Sequence, residues 1–350
     1  MSTYAGLFEN AETGATAAAV ASRGDFIPDV SVIVPTYRRP AMLERCVSAI
    51  AAQTYDPTRY EIIVCDDGPD EATKACVQRL ATSHAQSGPK IRYVPVTATQ
   101  GPAGARNAGW RASLARRIAF TDDDTIPDPQ WLANGLRALD AGADAVSGRI
   151  VVPLPKRPTD YELDAAGLAN AEFATANAFA TRAALERTGG FDARYTSAWR
   201  EDSDLQFALM QAGLVIARAD DAAILHPVRP ARWGVSISQQ KKSQFDALLY
   251  KKHRTLFRER IRRHPPLLYY AMLAALVVLF VSLMAGATHI AMAAAVAWIA
   301  MTIWFCMQRL KTTARTPAHI AEMLCTSAII PYLSIYWRIR GAFKFKAFFL

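Results

Sequence analysis

The chain has 350 residues, 51% of them hydrophobic, and a formal net charge of +9. That length buries one large α/β domain and leaves apolar sequence for another use. The charge is lopsided: residues 241–350 hold 16 Lys and Arg against 3 Asp and Glu, while residues 1–240 are slightly acidic. A basic tail that flanks long uncharged runs fits anionic membrane lipids as partner and argues against nucleic acid. The five cysteines, Cys46, Cys65, Cys76, Cys306 and Cys325, form no Cys-x-x-Cys pair and are odd in number. That pattern excludes a disulfide framework and fits a reducing compartment.

Residues 1–28 are rich in Ala, Gly, Thr and Ser without apolar periodicity and read as a flexible leader. The run MSTYAGLFENAETG has neither a basic segment nor an apolar one, so it does not read as a secretory signal, and the catalytic domain is expected to face the cytoplasm. From Val30 the pattern changes to short β-branched runs alternating with amphipathic stretches: VSVIVPTY, then MLERCVSAIAAQ, EIIVCDDG, ATKACVQRLATSH, IRYVPV, ARNAGWRASLA and RIAFTDDD. This predicts a mostly parallel sheet flanked by helices over residues 29–238. In such sheets ligands collect beyond the carboxyl ends of the strands. Thr36, Asp66 and the Asp122, Asp123, Asp124 cluster all stand at such ends.

Further along, residues 239–264 read as a basic amphipathic helix next to a membrane. Residues 265–307 contain no Lys, Arg, Asp or Glu and allow two spans with a break near Gly286 to His289. Basic flanks on both sides place the outer ends of this hairpin in the cytoplasm. Residues 308–350 are basic and amphipathic, with Glu322 and Pro331 inside an apolar stretch, and are read as a helix lying in the membrane plane, the alternative being a third span. A chain ended near Lys242 is therefore expected to be soluble.

Three consecutive carboxylates at the end of an apolar strand repel one another unless a cation compensates them. Hard oxygen ligands suit Mn²⁺ or Mg²⁺, whose remaining positions go to substrate phosphate and water. A second acidic group, Glu201, Asp202 and Asp204, opens a helix, where the dipole favours negative charge. It follows small-residue segments that let backbone approach a ligand: ATANAF with Asn177, and GGFD with Gly190. These residues and Trp199 are expected around the acceptor or sugar.

In order, VSVIVPTYRRP, VCDDGPDEAT, GPAGARNAGW, FTDDD, ANAFATRAAL, GGFDARY and REDSDLQFAL resemble the nucleotide-diphospho-sugar glycosyltransferases of family 2, with the GT-A fold. The resemblance covers roughly Val30 to His226. It implies nucleotide binding at Pro35, Thr36 and Tyr37, a uracil contact at Asp66, and a base or phosphate contact at Arg106 with Asn107 beside it. It implies ribose binding at Asp122, a nucleotide-side place for Asp123, metal binding at Asp124 with His226 as a further ligand, and a general base at Asp202 next to Glu201. The Gln-x-x-Arg-Trp element of processive polymer synthases is replaced here by Gln239-Gln240-Lys241-Lys242-Ser243, which points away from a polymer synthase and toward addition of one sugar to a lipid-linked acceptor. A polyprenyl-phosphate monosaccharide synthase, a sugar nucleotidyltransferase and a non-catalytic nucleotide-sugar sensor are the alternatives.

Overall fold

The computed structural model describes residues 27–349; the leader expected over residues 1–28 lies almost wholly outside them. The first half alternates as expected: β1 (Val30–Thr36), α1 (Pro40–Ala51), β2 (Tyr60–Asp66), α2 (Glu71–Ser83), β3 (Lys90–Pro95), α3 (Pro102–Ala112) and β4 (Arg117–Thr121). Every residue of β1 and β2 is buried, as β-branched runs covered on both faces must be. Then follow β5 (Ile126–Pro127), α4 (Trp131–Asp140), β6 (Ala145–Val151), α5 (Asp160–Ala166), β7 (Asn177–Thr181), α6 (Arg182–Thr188), α7 (Glu201–Gln211) and β8 (Ile216–Leu225).

The eight strands form one sheet in the order β3-β2-β1-β4-β7-β6-β8-β5. β3, β2, β1 and β4 run parallel, whereas β7 is antiparallel to both β4 and β6. Two hydrophobic clusters cover its faces, one with Leu43, Ile50 and Trp131, the other with Trp110, Phe120 and Leu205. The small residues of GARNAGW explain how closely α3 lies on the sheet, because a Cβ on Gly109 would meet Ile33 Cγ2 at 2.4 Å and Cys65 Sγ at 2.6 Å.

Asn177 is a correction. Expected near the acceptor or sugar, it is fully buried in the sheet. Its Oδ1 accepts from Trp131 Nε1 at 2.8 Å, and its Nδ2 donates to Arg149 O at 2.9 Å and Ala222 O at 2.8 Å. These carbonyls belong to the β6–β8 pair, where the register shifts at Gly148/Arg149 and leaves backbone groups unpaired. The side-chain amide satisfies that irregularity and has nothing left for a ligand.

The boundary at residue 238 also moves. After α8 (Val235–Gln239) and a 3₁₀ turn, α9 (Gln244–Lys252) buries Phe245, Ala247, Leu248 and Leu249 in the same core as Phe120 and Leu205. The single basic helix expected over 239–264 is broken at His253, whose ring meets Asp204 Oδ1 at 3.2 Å and Gln211 Oε1 at 2.8 Å. The short α10 (Arg254–Leu256) and a π-helical turn follow. A cut near Lys242 removes this layer and passes through the core of the catalytic domain.

Three further helices are long and apolar enough to cross a membrane: α11 (Leu267–Met284), α12 (Thr288–Leu310) and α13 (Pro317–Phe345). The first two form the expected hairpin, turning at Gly286 with φ +71°. α13 continues through Pro331 without interruption.

Replacing Asn177 with Ala removes three buried bonds and should cost about 1–3 kcal/mol. The measurement is the melting temperature of the detergent-solubilised protein, which should fall while the KM for donor stays unchanged. Unchanged stability with a raised KM would return Asn177 to the substrate site.

Candidate active site

The carboxyl ends of β1, β2 and β4 open into a cleft of about 860 Å³. Its walls come from Pro35, Thr36, Tyr37 and Arg39 after β1, from Asp67 after β2, and from Asp122, Asp123 and Asp124 after β4. The 196–203 loop, the 226–229 segment after β8, and a roof of α5 with its following turn complete the enclosure.

At the centre is Arg106, only 2% exposed. Its Nη2 donates to Asp122 Oδ1 at 2.7 Å and its Nη1 to Glu201 Oε1 at 3.2 Å, so one guanidinium joins the end of β4 to the start of α7. Burial opposes its charge, yet Asp122, Asp202 and Glu201 together raise its pKa above the ordinary arginine value. In return, burial pushes the Asp122 carboxyl up, but Arg106, His226 and Arg39 outweigh it and hold it below the carboxylate range. Both terminal nitrogens of Arg106 are engaged by carboxylates, while Nε has no partner among the described residues and the side chain still lines the cleft.

Glu201 and Asp202 divide sharply. Burial and the neighbouring Asp202 charge push Glu201 up to about 8, and its Oε2 has no partner among the described residues. With Oε1 turned onto Arg106, Glu201 is placed as a positioning group. Asp202 is also raised, by burial first, but it faces the cleft and accepts from the Thr175 hydroxyl. Thr175, wholly buried, carried no signal in the sequence beyond its small-residue surroundings. Just before this pair, Arg200 adopts φ +74°, a left-handed conformation that costs a non-glycine residue of order 1 kcal/mol. Asp246 of α9 holds it there, accepting from Arg200 Nε at 2.7 Å and from Trp199 Nε1 at 3.2 Å.

The aspartate cluster gathers around the end of β4. Asp122, Asp124 and His226 each offer a ligand atom, all within 4.8 Å of one another. His226 Nε2 lies 3.5 Å from Asp124 Oδ1, and Arg229 Nε lies 3.1 Å from Asp124 Oδ2. Two carboxylates and an imidazole converging on one point, with guanidiniums supplying compensating charge, fit a divalent cation. Asp122 joins this triad as well as meeting Arg106. Asp123 turns the other way: its Oδ2 accepts from Thr36 Oγ1 at 2.7 Å and its Oδ1 lies 3.3 Å from Arg39 Nη1. Burial raises it to about 6 despite Arg39 and Thr36, and its role is to fix the β1 loop.

Three other expected residues lie apart from the cleft lining. Asp66 directs its oxygens to Gly68 N, Asp70 N and Tyr93 OH, closing its own loop. Its neighbour Asp67 lines the cleft instead, accepting from Gly101 N at 2.7 Å with Oδ1 unpartnered among the described residues. Asn107 spends its amide on Phe191 O, Phe191 N and Trp110 Nε1, and Gly190, at φ +72°, packs where a Cβ would meet Asn107 Oδ1 at 2.7 Å. Both are fastenings of the 190–191 turn onto α3. Trp199 does line the cleft, with Gln239 and Lys242 beside it; Lys242 Nζ stands 5.8 Å from the Trp199 ring. The Gln239–Ser243 string therefore reaches the site even with Lys where Arg was sought.

Residues 31–205 match the family described as Glycosyl transferase family 2. The chain belongs to this family. Glycosyltransferase AglE of Haloferax volcanii is 31% identical over 137 residues, 39% of this chain and 44% of that relative. The Escherichia coli UDP-Glc:alpha-D-GlcNAc-diphosphoundecaprenol beta-1,3-glucosyltransferase WfgD is 33% identical over 107 residues, 31% of this chain and 38% of the relative. The matched stretch spans less than half the length of either. Among solved structures, the mannosyltransferase PcManGT from Pyrobaculum calidifontis in complex with GDP-Man and Mn²⁺ superposes with a TM-score of 0.52 at 22% identity, covering 91% of this chain and 87% of that one. The fold is GT-A, and the family makes the protein a glycosyltransferase.

Arg106→Met leaves Asp122 and Glu201 without their shared cation and should destabilise the protein by about 3–5 kcal/mol. Thermal melts would show this directly. A protein that melts normally but binds donor poorly would restore the nucleotide contact to Arg106.

Proposed function

We propose that the protein is an inverting glycosyltransferase. It moves one sugar from a nucleotide-diphosphate sugar to a hydroxyl or phosphate of a membrane- or lipid-linked acceptor, in the synthesis of cell-envelope glycan or glycolipid. The observation that carries this reading is a single cleft holding both the Asp122, Asp124 and His226 triad and the carboxylate of Asp202. Displacing a nucleoside diphosphate needs charge stabilisation for the leaving group and a base for the incoming hydroxyl proton. A divalent ion, Mn²⁺ or Mg²⁺, held by the triad supplies the first when bound.

Asp202 supplies the second. The hydrogen bond from Thr175 favours its ionised form, and with Glu201 turned onto Arg106 and nearly fully buried, Asp202 is the more open carboxylate of the pair. With Asp202 as the one base and the other cleft carboxylates engaged as positioning or cation-binding groups in this reading, direct displacement inverts the anomeric centre. Pro35, Thr36 and Tyr37 line the nucleotide side, and Asp67 takes the base contact that the sequence assigned to Asp66. A carboxylate accepts equally from a uracil or a guanine imide N–H. A UDP sugar is the favoured donor, supported by the UDP-Glc in the name of the WfgD relative.

That name also carries a diphosphoundecaprenol acceptor, which supports a lipid-linked acceptor here, as do the apolar helices beside the cleft. A polyprenyl-phosphate acceptor is the second reading. Half-buried Lys242 in the cleft favours it, since a phosphate would meet that ammonium.

The two readings separate at Asp202, because an ionised phosphate needs no base. Asp202→Asn should lower turnover on a hydroxyl acceptor by about 100-fold or more while donor binding persists, and near-normal turnover would identify the phosphate reading. Asp124→Ala should weaken Mn²⁺-dependent donor binding, read by titration calorimetry with UDP and GDP sugars. Thr175→Val removes a bond to the ionised form of Asp202, so its pKa rises further. The acid limb of the kcat/KM profile should move to higher pH, with the alkaline limb unchanged.

A further inference from the structure

We propose that α13 lies flat on the membrane surface as the floor of the catalytic domain, so that only α11 and α12 cross, and that its outward apolar stripe is the surface by which the domain rests on lipid. Length and composition alone qualify α13 as a span; its contacts oppose that. Near its start, Glu322 Oε1 accepts from Gly234 N at 2.6 Å, and His319 Nε2 lies 3.4 Å from Asp160 N. Beyond its middle, Arg338 Nη1 stands 3.6 Å from Asp246 Oδ2. At its end, Gly341 is pressed on α9 so closely that a Cβ would meet Gln244 O at 2.3 Å, and Phe345 O accepts from Lys251 Nζ at 2.8 Å.

From Glu322 to Phe345 the helix rises about 34 Å at ~1.5 Å per residue, more than the ~30 Å hydrocarbon core. A span touching the same water-exposed layer at both ends would draw α8 and α9 through the bilayer. Those helices cannot follow, because Asp246 of α9 also binds Trp199 and Arg200 in the cleft wall. Their charged residues and loop backbone would be stripped of water.

The sequence of α13 is built for the flat arrangement. Met323, Ser327, Ile330, Ser334, Arg338, Gly341 and Phe345 recur at helical spacing and are buried. Two of its polar members meet the catalytic layer and the end of α12: Arg338 faces Asp246, and Ser327 accepts from Arg309. The opposite face presents Cys325, Ile329, Tyr336, Ile339 and Phe343, all exposed, with Phe343 at 81%. Arg340 and Lys344 border this stripe and are exposed. An apolar face edged by cations, continuous with the hairpin through the packing of α12 on α13, suits the boundary between headgroups and acyl chains. The α12 end is clamped to the same layer by Arg309, whose Nη2 donates to Asp160 Oδ2 at 2.6 Å.

Two measurements on the full chain decide this. Nitroxide labels placed singly at Ile329, Tyr336 and Phe343, in vesicles of phosphatidylethanolamine and phosphatidylglycerol, should report equal, shallow depths. A graded depth, greatest at Ile329 or Tyr336 and falling toward Phe343, would overturn the proposal. Labels exposed to water in vesicles would overturn it too, by denying lipid contact. In cells, tags at residues 1 and 350 should be protected from or open to an impermeant reagent together, with a cysteine at Ala287 on the opposite side. Tags on opposite sides would establish α13 as a third crossing.

Discussion

One guanidinium organises the site. Arg106 stands in the closely packed α3, which the glycines of its sequence allow to press on the sheet, and from there it binds Asp122 at the end of β4 and Glu201 at the start of α7. Without it, buried carboxylates from distant parts of the chain would face one another uncompensated, and desolvation would neutralise or expel them. With it, Asp122 is held ionised beside Asp124 and His226, while burial and the Asp202 charge raise Glu201 against the pull of Arg106. The same guanidinium pulls Glu201 and Asp202 down against their burial, so it favours an ionised carboxylate on the base side as well.

A second fastening reaches the site from the membrane side. Asp246 of α9 binds Trp199, Arg200 and Arg338. It thereby couples the left-handed turn that presents Asp202 to the helix beneath the domain. This is why the catalytic core extends into sequence that composition alone marks as a basic amphipathic helix next to a membrane. The acid-poor tail is basic partly because its cations serve internal carboxylates: Lys252 pairs with Asp204, Arg260 with Glu172 and Arg309 with Asp160.

Much of this was legible in the sequence. Alternating β-branched and amphipathic runs announced a mostly parallel sheet, and carboxylates at strand ends marked its ligand side. The structure sets His226 beside Asp124 and places Asp202 in the cleft lining, positions that the family resemblance had named. What escaped was decided by orientation. Asp66 and Asp67 are adjacent, and at a strand end successive side chains point to opposite sides, so the doublet could not say which one faces the cleft. Asn177, Asn107 and Gly190 look like ligand-approach residues by type, yet their bonding capacity is consumed by a strand irregularity and a turn that no local pattern reveals. Thr175 became visible only as the donor to Asp202, and α9 only once its apolar face met a core built from residues far earlier in the chain.

The triad at the end of β4 draws on distant parts of the chain. Asp122 and Asp124 follow a strand paired with β1 from far earlier and β7 from later, and His226 arrives roughly a hundred residues on, just after β8, the neighbour of the edge strand β5. The three ligand atoms converge only after β7, β6 and β8 have been laid down in register, so ligand affinity there is a readout of sheet closure. A cation bound by the closed sheet and not by partly assembled chains shifts the folding equilibrium by mass action. A divalent ion bound there would bear on how much protein reaches its finished form, separately from how fast the finished form turns over.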